Sequence, residues 1–78
     1  MQNDLFNTYY NITGDYIKKQ VTRIENKIPT TKNRYGDYLN LLTTLISERI
    51  PKNICYDLII KCGGNKNGVS DAYKIINQ

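Results

Sequence analysis

At 78 residues the chain is too short for two hydrophobic cores, and a monomer of this size lies near the lower bound of independent stability, which leaves self-association open. Hydrophobic residues at 40% and charged residues at 23% exclude a chain that stays unfolded, and the absence of histidine removes the commonest general base and metal ligand along with every Ser-His or Cys-His nucleophile. Eleven Lys and Arg against seven Asp and Glu leave a net charge of +4, a mild tilt toward polyanionic partners.

No run of about eighteen apolar residues occurs, and the first residues lack a basic segment followed by an apolar one, so the expected setting is cytoplasmic with no membrane partner. In that setting the sequon Asn11-Ile12-Thr13 carries no weight.

In chain order, Leu5, Phe6, Tyr9 and Tyr10 have helical spacing, with Asn3 and Asp4 as candidate caps. Gly14 either separates this short helix from the next or is bridged by one bent helix, since glycine costs only about 1 kcal/mol relative to alanine. From Asp15 to Ile28, the residues Ile17, Val21, Ile24 and Ile28 recur at spacings of four, three and four, one face of an amphipathic helix. Thr13 is the candidate cap, Asp15 complements the dipole, and Pro29 blocks extension.

After a polar connection, Tyr35, Tyr38, Leu42, Leu45 and Ile46, widened by Leu39 and Leu41, predict the most buried helix. Core packing accounts for Tyr35 and Tyr38, and Pro51 ends the helix near Arg49 or Ile50. From Pro51 or Lys52, the residues Ile54, Cys55, Leu58, Ile59 and Cys62 share a face, and Gly63-Gly64 supplies a left-handed cap. Ile59-Ile60 would also suit a buried strand, but no alternating segment exists to pair with it. Asn65 to Gly68 reads as a loop, followed by a last short helix capped by Ser70, stapled by Val69 against Tyr73, and faced by Ala72, Tyr73 and Ile76. The expectation is an all-α fold, a compact bundle of four to five short helices forming a single domain over residues 1–78.

The seven carboxylates are scattered without the close pairing that acid-base work or a cation cage needs. Cys55 and Cys62 are only two ligands. On one helix they would stand about 10.5 Å apart, whereas a disulfide tolerates Cα separations of about 7 Å. Buried thiols acting as small hydrophobes are the simpler reading. The chain is therefore expected to be no enzyme and to hold no metal or cofactor.

Gly63 to Ser70 has the outline of a phosphate-cradling loop but places Val69 where the lysine belongs. What remains is Lys66 beside a helix N-terminus, suited to a phosphate, or a plain capping turn. A helix-turn-helix reading, Lys52–Cys62 then Ser70–Asn77, requires a turn from Gly63 to Val69 longer than the standard three or four residues. Its second helix offers Lys74, Tyr73 and Asn77 but no arginine.

Lys19, Arg23 and Lys27 fall at i, i+4 and i+8, with only Asp15 to offset them on the helix. Like charges so spaced cost about 0.2–0.5 kcal/mol per pair, which an anionic partner would relieve. Of the seven tyrosines, Tyr10, Tyr16 and Tyr56 are the interface candidates. Two functions compete. One is a small regulatory protein that binds nucleic acid through Lys19, Arg23, Lys27, Lys66 and Lys74. The other is a protein-binding inhibitor or adaptor, of the kind a virus or mobile element encodes, that occludes a larger partner through its tyrosines. A homodimer is compatible with either.

Overall fold

The computed structural model describes residues 4–27 and 34–78. They form four helices, α1 (Asp4–Glu25), α2 (Tyr35–Ser47), α3 (Lys52–Lys61) and α4 (Lys66–Ile76), and no strand among the described residues. The radius of gyration, 12.0 Å, is close to the roughly 11.5 Å expected of a compact chain this long.

The first two expected helices are one. α1 runs unbroken through Gly14, which is buried with the Tyr10 ring over it; a Cβ there would sit 3.4 Å from that ring. Thr13 is consequently mid-helix and no cap: its hydroxyl donates to the Tyr9 carbonyl at 2.7 Å. Asp15 is likewise mid-helix rather than in a first turn. α1 ends at Glu25, and the expected features at Asn3, Ile28 and Pro29 lie outside the described residues.

α2 buries Tyr38, Leu41, Leu42 and Leu45, but Tyr35, expected in the core, is 39% exposed. Tyr35 and Tyr38 are three residues apart, about 300° around a helix, and only Tyr38 falls on the inward arc. The helix stops at Ser47 rather than at Arg49 or Ile50 because the chain turns left-handed at Arg49, φ 71°. There the Arg49 N–H bonds the Ile46 carbonyl at 2.8 Å and the Ile50 N–H the Leu45 carbonyl at 3.4 Å, a Schellman closure. α3 ends the same way on Gly63, φ 98°, with Gly63 N–H to Ile60 O at 3.0 Å and Gly64 N–H to Ile59 O at 2.9 Å.

α4 starts five residues earlier than a Ser70 cap would place it. Asn65 is the cap, its side chain accepting the Gly68 N–H at 3.0 Å. Gly68 and Val69 are therefore helical and buried, so the Val69–Tyr73 staple does not form. Glycine inside a helix is unfavourable, but here it admits the Tyr38 ring: a Cβ on Gly68 would lie 3.1 Å from Tyr38 Cδ2.

α2 packs most extensively on α4, α3 touches all three other helices, and α1 rests mainly on α3 and only lightly on α2. The core joins Ile17, Val21 and Ile24 of α1 to Tyr38, Leu42, Leu45, Ile54, Cys55, Leu58, Ile59, Val69 and Ala72. The light α1–α2 contact leaves a groove between those helices, and the groove is where the molecule shows its unusual surface.

Candidate functional site

α1 presents a second set of residues on its outer side. Leu5, Tyr9, Ile12 and Tyr16 are spaced four, three and four, about 130° around the helix from the core face. Lys19 and Arg23 continue that line and Lys27 follows just past the end of α1, so one outward face is apolar over its first half and cationic over its second. Leu5 is 47% exposed, Ile12 72% and Tyr16 45%, where isolated exposed apolar residues are ordinary but a contiguous set marks a contact surface.

The apolar half forms one wall of a cavity of about 540 Å³, lined by Tyr9, Ile12, Thr13 and Tyr16 and, from the opposite side, by Thr44, Leu45, Glu48 and Ile50. Beyond Tyr16 and Thr44 the groove turns polar, with Gln20, Arg23, Asp37 and Asn40 along it.

Lys19, Arg23 and Lys27 are all exposed. Lys27 pairs with Asp37 at 2.8 Å, and Arg23 donates to the Gln20 side-chain oxygen at 3.1 Å. Lys18, which the periodicity argument passed over, joins this group, its ammonium 5.5 Å above the Tyr10 ring. The Tyr10 phenol holds that ammonium above the usual lysine value. Among the described residues no carboxylate lies within ion-pairing distance of Lys18, Lys19 or Arg23.

Lys66 and Lys74 are exposed on α4, eight residues and about 80° apart around the helix, so they do not extend the α1 stripe as a line. Lys66 does come near the end of α1. The Tyr38 hydroxyl donates to the Glu25 carboxylate and accepts the Asn65 N–H at 3.1 Å, tying the start of α4 to the last residue of α1. Arg34 completes this cluster with its guanidinium 3.7 Å from Glu25, its Nε buried and without a hydrogen-bond partner. Burial, reinforced by the Glu25 carboxylate, pushes the Tyr38 phenol up to about 12.

The three candidate interface tyrosines separate. Tyr16 is exposed on the groove, Tyr10 is half-buried and stacked on Phe6 at 6.1 Å, and Tyr56 is half-buried against Tyr73 at 5.1 Å with its hydroxyl 3.1 Å from Ser70 Oγ. Both thiols are free. Burial pushes Cys55 up to about 11, and it raises Cys62 as well, against the opposing pull of Lys18 and Lys61. Such thiols are poor nucleophiles at neutral pH. No cluster of His, Cys, Asp or Glu among the described residues could hold a metal ion, and no described helix is long and apolar enough to cross a membrane.

Residues 62–65 make the turn between α3 and α4, which brings it to helix-turn-helix length. The outer face of α4, however, sets Asn67, Asp71 and Lys74 side by side, one acid against one base, a poor match to a phosphate backbone. Ile12 and Leu5 are the surface residues that the search for site residues missed. Their signal was present in the spacing 5-9-12-16 and was hidden by dividing the helix at Gly14. Comparison with protein-family models, curated proteins and solved structures finds no match for this chain.

Proposed function

We propose that the chain is a small non-catalytic regulatory protein that binds nucleic acid along the second half of the outward face of α1. Lys19 and Arg23 are its principal phosphate contacts, Lys18 flanks them, and Tyr16 stands at the edge of the patch where a base could stack. The observation that supports this reading is the exposure of these three cations over six residues of one helix with no carboxylate at ion-pairing distance among the described residues. Lys27, engaged by Asp37, contributes less, and Lys66 and Lys74 offer secondary contacts from α4.

The test is fluorescence anisotropy with labelled single- and double-stranded DNA and RNA over a range of salt. Expected is an affinity that falls steeply with salt, loses about one unit of log-log slope per cation removed, and disappears in the double variant Lys19→Glu, Arg23→Glu. Binding that is absent, or indifferent to salt and to this variant, removes the reading.

Exposed Ile12 and Tyr16 favour a second reading, a protein-binding module that occludes a larger partner. In that case Tyr16→Ala weakens a stoichiometric complex with a host protein more than reversal of Lys19 and Arg23 does.

A further inference from the structure

The apolar half of the outward α1 face carries no phosphate-binding cation, and of its four residues only Tyr9 packs, half-buried, against the core. Leu5, Tyr9, Ile12 and Tyr16 stand at the four-three-four spacing by which one helix packs against another, and Ile12 is 72% exposed. We infer that this face is where a second copy of the chain docks, α1 against α1 in antiparallel orientation.

The spacing reads the same from either end, so it is its own complement under a two-fold axis. Antiparallel pairing sets Leu5 against Tyr16 of the second copy and Tyr9 against Ile12 of the second copy, each layer matching an aliphatic side chain to a ring. Parallel pairing would oppose like with like.

Charge makes the same choice. The face continues into Lys19, Arg23 and Lys27, which a parallel arrangement would bring against their own counterparts. In the antiparallel arrangement the axis passes between Tyr9 and Ile12, and the two copies of Lys19 stand about 25 Å apart along the helices. That exceeds the screening length of about 8 to 10 Å near physiological salt. The groove flanks the seat, and the exposed Thr44 and Glu48 stand on its opposite side. Each copy's cationic half projects beyond the seam, at opposite ends of the dimer, so the contact leaves the proposed phosphate-binding residues uncovered. The inference uses none of the cations of the nucleic-acid reading, and Tyr16 is the one residue the two share.

Sedimentation velocity of the full chain from roughly 1 µM to 1 mM, the span of moderate to weak association, tests it. The wild type is expected to move from monomer to dimer mass, and Ile12→Glu to stay monomeric with unchanged helical circular dichroism. Leu5→Glu and Tyr16→Lys, both at exposed positions, should each weaken association at least about tenfold. An equimolar mixture of the two should recover it, because only antiparallel pairing brings positions 5 and 16 together. The mixture decides the matter even if Ile12→Glu fails to fold. A wild type that remains monomeric throughout, an association that these variants leave unchanged, or single variants weakened without recovery on mixing overturns the inference.

Discussion

Tyr38 and Ile12 sit at opposite extremes of one molecule. Tyr38 is fully buried, and its hydroxyl is occupied twice over, donating a hydrogen bond to Glu25 and accepting the Asn65 N–H. Ile12 has no polar group to satisfy, yet keeps 72% of its surface in water. Around Tyr38, satisfied polar groups join α1, α2 and α4 and set where α4 begins. Along the outer face of α1, Leu5, Ile12 and Tyr16 stay exposed. One region turns its chemistry inward on the fold, and the other leaves apolar side chains facing water.

Substitutions should separate the two regions by size of effect. Leu58→Ala, in a side chain with no exposure, should cost about 2–5 kcal/mol in urea unfolding. Next comes Tyr38→Phe, at about 1–3 kcal/mol, because it strands the Asn65 N–H and a Glu25 carboxylate oxygen.

The same variant sharpens a pH effect. The Tyr38 phenol is raised from 10.0 to about 12 in the fold, so the folded state keeps its proton where the unfolded chain has lost it. Its contribution is fully present below pH 10 and lost as pH rises toward 12, at up to about 1.4 kcal/mol per pH unit. Alkaline unfolding of Tyr38→Phe should show that much less dependence on pH than the wild type.

The paired left-handed closures give a smaller and signed test. Gly63→Ala should destabilise by about 1 kcal/mol, while Arg49→Gly should stabilise by up to about 1 kcal/mol, since a side chain at φ 71° is strained where glycine is not. Both are read from thermal unfolding. Smallest of all, Ile12→Ser should leave the stability of dilute protein within about 0.5 kcal/mol. A larger loss would place Ile12 with the core and break the contrast.

Much of this was legible before any coordinates. The faces of α1, α2 and α3 follow from apolar periodicity, and the closure at Gly63 from the glycine pair. The Arg49 closure is not legible in the sequence, since arginine carries no preference for positive φ and Pro51, two residues on, is by itself sufficient reason for a helix to stop. The start of α4 is not legible in the sequence, because Gly68 on its own reads as a loop residue. Only the Tyr38 ring packed against it supplies the reason for glycine inside a helix. The basic stripe was visible as Lys19, Arg23 and Lys27, but its partial neutralisation by Asp37 depends on another helix.

Alternating chemistry along the chain determined by itself that this protein is helical, that its thiols are more use as small hydrophobes than as reagents, and that α1 carries a line of cations. Periodicity is a local property, read over a few turns, and suffices for that. Which tyrosine of α2 is buried and where α4 starts were decided by tertiary structure alone. Those outcomes depend on side chains far apart in the chain competing for one interior, and a helix cannot say from its own residues which of its faces will win.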